Sequence, residues 1–443
     1  MENHPLPRVL GLTDIIGIVV GTMIGSGIFI VPANVAAGVQ SPLLILAVWV
    51  AGGILTFFGA ISLAELGAAY PHAGGIYVYL REAYGPVIGF LYGWTLFLVI
   101  ESGTVATLSV AFSTKYLPHF FKLTPWGSKA VSLLLIAFLA SVNYIGVRWG
   151  AYLQNFLTAI KFIALTGLAL LIFIFAKGST SHFFSPHPQS FSVDLIGQFG
   201  LALVAALWAY KGWETASFSA GELKRPERNL PLGIFIGTMV VIGLYLIANL
   251  AYLYAFPSNI IAKSSRIAAD AMKAAIGPAG ASVIAFFILF SIIGAANGHH
   301  LTSPRVYYAM AKDRLFFKKL AEVHPRFLTP HVSILSLAIW SSFLSLSGTF
   351  EQLYTYVIFG LWIFMGLTGA AVIILRKKHP DLRRPYRTWG YPLTPVLFIL
   401  AALYISVNTV IKQFWNSFIG LSIILLGVPA YLYWKNKKKR KNP

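Results

Sequence analysis

Four ionisable residues, Glu101, Lys161, Lys211 and Glu214, stand inside stretches that are otherwise apolar. A charge at the middle of a bilayer costs about 2.5–3.5 kcal/mol on insertion scales, so such groups face a cavity, a partner or a ligand. Glu65, a fifth, lies near the end of its apolar stretch. Two backbone breaks accompany them. Gly21-Thr22-Met23-Ile24-Gly25-Ser26-Gly27 interrupts the first long hydrophobic segment, and Leu207-Trp208-Ala209-Tyr210-Lys211-Gly212-Trp213-Glu214 interrupts the sixth. N–H and C=O groups freed there are costly in hydrocarbon and are tolerated only where they line a cavity. Paired broken helices in corresponding positions point to a transporter binding site.

Helix direction decides what such a site holds. With the N-terminus inside, the first segment runs outward, and its outer half begins near Gly27-Ile28 with free N–H groups and a positive dipole end, a place for an anion. The sixth segment runs inward, and its outer half ends near Trp208-Ala209 with free carbonyls, a place for a cation. A small molecule carrying both charges a few ångströms apart is an α-amino acid.

The elements that position these groups are membrane helices. The 443 residues are 57% hydrophobic and 11% charged, with a mean hydropathy of +0.73. Twelve apolar segments are long enough to span about 30 Å of hydrocarbon, at 11–36, 42–69, 86–112, 129–147, 152–176, 194–220, 231–256, 280–309, 331–348, 353–375, 391–411 and 415–434. The first lacks a small-residue cleavage site and is read as a retained helix. The net charge of +20 does not indicate nucleic acid. With the N-terminus inside, 24 of the 34 Lys and Arg fall in cytoplasmic loops and the tail and 8 outside. The positive-inside rule therefore predicts a multi-pass protein of the cell membrane with both termini cytoplasmic. The basic tail from Lys435 to Lys441 follows the aromatic anchor Tyr431-Leu432-Tyr433-Trp434, and attraction of tail and loops to anionic lipid is the expected partnership. There is no cysteine, which excludes disulfides and thiolate chemistry. His299 and His300 are adjacent and do not share a helix face. No metal or cofactor is expected, and an enzyme is the weaker class.

The residues resemble those of the amino acid–polyamine–organocation superfamily, and within it the L-amino acid transporter family, in a bacterial-type member. The matching stretches are Gly25-Ser26-Gly27-Ile28-Phe29, Ala64-Glu65-Leu66-Gly67, Gly74-Gly75-Ile76-Tyr77-Val78-Tyr79, Tyr210-Lys211-Gly212-Trp213, Arg228-Asn229-Leu230-Pro231, Asn297-Gly298 through Arg305, and His324-Pro325 with Thr329-Pro330. The resemblance implies an all-α, LeuT-like fold with broken helices 1 and 6. Two inverted halves are expected at 1–180 and 190–378, two peripheral helices at 388–435 and a basic tail at 436–443. It implies that Met23, Gly25, Ser26 and Gly27 line the first break, with the Ser26 and Gly27 amides taking the substrate carboxylate. Trp208 and Ala209 would line the second break, with Trp208 supplying an ammonium-binding carbonyl and a ring that closes over the substrate. Lys161 matches the lysine that fills a sodium site in sodium-independent members. The cysteine by which animal members bind an ancillary subunit is absent, so no disulfide-linked partner is expected.

Lys211 departs from the family pattern, while Glu214 matches a carboxylate that some bacterial arginine-exchanging relatives carry and most L-amino acid exchangers do not. The Lys211 ammonium repels cationic substrates, favours acidic or polar ones, or is neutralised by Glu214 three residues on; Glu101 is a third possible partner. The preferred expectation has Glu214 holding the ammonium aside in a sodium-independent exchanger of small neutral L-amino acids. The alternatives are a proton-coupled symporter and a carrier of acidic or modified amino acids. A non-transporting sensor is disfavoured by the short loops.

Overall fold

The computed structural model describes residues 6–184, 193–347, 350–412 and 414–441. The divide expected at 180–190 and the end of the tail lie in part outside them. A backbone in hydrocarbon must satisfy its hydrogen bonds internally. The described residues accordingly form helices almost throughout, with one isolated bridge between Leu10 and Leu223. Among the described residues, ten helices are long and apolar enough to cross a membrane, and a bent pair makes up to eleven. The bent pair is α1 (Leu12–Met23) and α2 (Gly27–Val39), which meet at 45°.

The chain continues through α3 (Pro42–Ala69), α4 (Pro86–His119), α5 (Pro125–Tyr144), α6 (Val147–Phe175), α7 (Val193–Ala209) and α8 (Pro226–Ala255). Then come α9 (Pro278–Thr302), α10 (His331–Ser347), α11 (Phe350–Lys378), α12 (Leu393–Lys412) and α13 (Phe414–Lys441). At 17 residues, α10 is apolar but shorter than the other spans. Proline opens many of these helices because the first helical N–H has no partner to lose. Short helices at Ile76–Tyr84, Ile267–Ile276 and Pro304–Lys312 lie between spans.

Packing places the broken segments at the centre. Helix α1 contacts α6, α8 and α9, while α2 lies along α7. Large apolar side chains such as Leu43, Trp126, Ile174, Ile339, Ile411 and Trp415 face outward, as a lipid-facing surface requires. The polar groups go inward: Glu101, Lys161 and Glu214 are all buried.

The basic clusters gather at one end, where ion pairs and backbone bonds close the bundle. Arg305 meets Glu222 through two bonds of 2.5 and 3.0 Å, both side chains fully buried. Arg376 and Arg384 surround Glu65. Asp313 receives the Tyr77 hydroxyl at 2.6 Å and also pairs with Arg81. Burial opposes the Arg81 charge, but Asp313 and Glu82 outweigh it and hold the guanidinium above its ordinary pKa. The Val9 and Leu10 N–H groups both donate to the Glu222 carbonyl, and Lys224 N–H donates to that of Leu10.

Candidate functional site

The first break runs from Met23 to Gly27. Ser26 stands immediately before α2, and its side chain makes no cap there. The opening N–H groups of α2 have no carbonyl one turn back in the same helix. The second break follows Ala209, where α7 stops. Gly212 has φ +128°, a left-handed conformation that disfavours a side chain. A Cβ built there would also stand 2.7 Å from the Thr22 backbone carbon. The chain then continues as a 3₁₀ segment, Trp213–Glu222.

The two breaks touch. A Cβ on Gly27 would stand 3.0 Å from Ala209 Cα. The Tyr245 hydroxyl of α8 lies 2.8 Å from the Met23 carbonyl and 3.0 Å from the Ala209 carbonyl, so its one proton is shared between the breaks. Thr22 donates to the Gly212 carbonyl at 2.9 Å, a second tie.

Between them is a small cavity of about 50 Å³. Met23, Gly25, Ser26 and Gly27 line it from the first break, and Trp208, Ala209 and Lys211 from the second. Leu108 and Ala295 add apolar wall; Thr104 and His299 add polar wall. By this measure it has room for a few water-sized groups. The Trp208 carbonyl accepts the Lys211 N–H at 3.1 Å, closing a turn over the break.

Lys161 lies outside the cavity, behind the first break. Its Nζ donates to the Gly21 carbonyl at 2.5 Å and the Ile24 carbonyl at 2.7 Å. Ser291 of α9 donates to Ile24 at 2.9 Å. The lysine needs Gly294, where a Cβ would stand 2.7 Å from Lys161 Cε. Carbonyls that would be orphaned by the break are thus satisfied by an ammonium and a hydroxyl.

Glu214 lies outside the cavity lining and makes no direct ion pair with Lys211, whose charge acts on it through space. Its Oε2 accepts the N–H of Gly212 at 2.9 Å, because the turn at Gly212 folds the carboxylate back onto its own backbone. Lys211 instead donates to Thr104 Oγ1 at 3.0 Å and lies 3.8 Å from Glu101 Oε1.

Glu101 follows a π-helical turn, Leu96–Ile100, a feature often found at functional sites. Its other oxygen meets His299 Nδ1 at 2.5 Å and receives the Ser303 hydroxyl at 2.6 Å. Tyr245 and Ser291 carry no signal in the sequence, and His299 is considered there only as a metal ligand beside His300. A buried Glu101 in need of partners was the one signal that could have drawn attention to His299.

The amino acid permease family model matches residues 10–429 of the chain. The chain belongs to that family. The permease is 33% identical to the serine/threonine exchanger SteT of Bacillus subtilis (strain 168), over 99% of each chain. It is also 33% identical to the human b(0,+)-type amino acid transporter 1, covering 99% of this chain and 90% of that one. With the human cystine/glutamate transporter it shares 31% identity, over 99% of this chain and 88% of that one. The permease is therefore a multi-pass transporter of the amino acid–polyamine–organocation superfamily with relatives in the L-amino acid transporter family, and not an enzyme.

Proposed function

We propose that the permease exchanges small neutral L-amino acids by alternating access, without sodium, in a cell membrane with both termini cytoplasmic. The substrate carboxylate sits on the amides of Ser26 and Gly27, at the start of α2, and its ammonium near the carbonyl end of α7 at Trp208 and Ala209. Residues 1–180 and 190–378 act as inverted halves, with 388–435 peripheral. The observation that carries this reading is the small cavity where a helix start and a helix end converge, with a volume suited to a small side chain. Support for sodium independence comes from Lys161, whose ammonium bonds two carbonyls of the first break. The absence of cysteine supports function without a disulfide-linked subunit.

The test is counterflow of labelled serine into proteoliposomes loaded with unlabelled amino acids. Alanine, serine and threonine should compete, while serine amide and methyl ester should not, since neither carries a carboxylate. Uptake should be equal in sodium and choline buffers. Competition by the ester as strong as by the free acid refutes the carboxylate site. A saturable sodium requirement refutes the role given to Lys161. A second reading, an acidic substrate, is favoured by Lys211 at the cavity wall; preference for aspartate or glutamate over serine decides for it.

A further inference from the structure

Away from the substrate cavity, a second pocket of about 580 Å³ opens at the end of the molecule that carries the basic clusters. Five of its lining residues are cationic: Lys312, Arg314 and Lys318 from the chain after α9, and Lys437 and Lys438 from the end of α13. No acidic side chain is among its lining residues. Its floor is aromatic. Trp434 is nearly buried, with ring centroids 5.3 Å from Phe316 and 5.2 Å from Phe317, while Phe317 is 60% exposed.

Gathering five like charges is unfavourable unless something compensates them, and here two elements more than a hundred residues apart bring them together. The C-terminal end of the Pro304–Lys312 helix offsets part of the repulsion through its dipole. Arg314 takes a left-handed conformation with φ +61°, unusual for a side chain of this size. Lys438 Nζ donates to the Asp313 carbonyl at 3.0 Å, fixing the end of α13 against this loop. The aromatic run around Trp434 is the composition that settles at a membrane–water interface.

The geometry points to a binding site for the headgroup of an anionic phospholipid. Its phosphate lies among the five cations and its glycerol and upper acyl chains against Phe317 and Trp434. The occupant is a lipid rather than a free anion for two reasons. The pocket has far more room than an inorganic phosphate fills, and four of its eleven lining residues are aromatic, the composition that settles at a membrane–water interface. An occupied site clamps α13 to the loop whose Asp313 pairs with Arg81 and Tyr77, so lipid binding also firms the closed end.

The test uses the purified full chain in mixed micelles of phosphatidylcholine with phosphatidylglycerol, with retained lipid read by native mass spectrometry. An interfacial cation contributes about fivefold to anionic-lipid affinity, so Arg314→Gln with Lys437→Gln should lower phosphatidylglycerol retention about thirtyfold. Lys224→Gln with Arg228→Gln removes the same charge from exposed positions at the same end and should change retention less than about twofold. Lys318→Gln alone, expected to cost about fivefold, keeps the test open if the double variant does not fold. Serine counterflow in phosphatidylcholine alone reports on folding and on the substrate site separately. Equal losses in the pocket and control variants would mean diffuse surface attraction and overturn the site. So would retention unchanged in Lys318→Gln and the pocket pair. Displacement of the lipid by millimolar inorganic phosphate or glycerol 3-phosphate would overturn the assignment to lipid.

Discussion

The two breaks solve the same problem in opposite ways. The first, Met23–Gly27, is held from outside, by Lys161 of α6, Ser291 of α9 and Tyr245 of α8. The second shares Tyr245 and takes a bond from Thr22, but closes for the rest on itself. Glu214 caps the Gly212 N–H, Thr215 donates to the Gly212 carbonyl at 2.8 Å, and a 3₁₀ segment takes up the chain. A break strapped by side chains of other helices transmits their movement; a break closed on itself keeps its shape. On the function proposed, the first is then the coupling element and the second the template against which substrate is measured.

Substitutions can break this contrast, and the largest effect should fall on the first break. Lys161→Ala removes two hydrogen bonds from a charged donor, each worth about 1.5–3 kcal/mol. Counterflow should fall by about a hundredfold or more, by the usual tenfold per 1.4 kcal/mol. Expression should be largely retained, because losing a mid-membrane charge relieves an insertion cost. Normal exchange at every pH would show that the strap is not needed.

Two glycines of the same break, Gly27 and Gly25, test it more finely. Gly27→Val would drive a branched side chain into Ala209 and should abolish counterflow in a protein that still folds. Gly25→Ala meets nothing closer than Ala295 at 3.9 Å and should keep exchange within about threefold, a change of less than about 1 kcal/mol. Equal damage from both would mean that the breaks need not touch.

Lys211→Gly probes the template. It empties part of the cavity wall, and bulkier neutral amino acids should gain about tenfold in competition with serine, the equivalent of one or two buried methylenes. Coinciding profiles for wild type and variant would place the lysine outside side-chain selection. The smallest effect is expected from Glu214→Gln, which keeps an acceptor for Gly212 N–H. It should cost about 1 kcal/mol or less in thermal stability and leave the competition profile unchanged. A shifted profile would return Glu214 to the substrate.

Composition and glycine placement made the membrane class and both breaks legible, since unwinding in hydrocarbon has few permitted settings. The basic clusters assigned to one side by charge counting are joined in space by Arg376 on Glu65 and Arg81 on Asp313. Lys161 stood out because an ammonium inside a span needs acceptors. What the sequence hid was reach across helices. Tyr245, Ser291 and His299 are ordinary residues on their own segments, and only the packing of α8 and α9 on the breaks gives them a purpose. Lys211 and Glu214 make no direct ion pair for a local reason. Three-residue spacing aligns side chains on a helix, but the left-handed Gly212 takes that stretch out of helix. The π turn before Glu101 left no trace in composition either.

The Tyr245 hydroxyl has a consequence of its own. A phenol carries one proton, and this one stands within bonding distance of a carbonyl from each break. The Met23 carbonyl also accepts the Gly25 N–H at 3.0 Å, so when the phenol turns to Met23 it is the Ala209 carbonyl whose lone pairs wait for another donor. On the function proposed, a substrate ammonium is such a donor. Parting the breaks without a ligand would leave the Ala209 carbonyl unpaired in a dry interior, so the hydroxyl that fastens the breaks together would discourage the unloaded protein from changing sides, which is the behaviour that separates an exchanger from a leak.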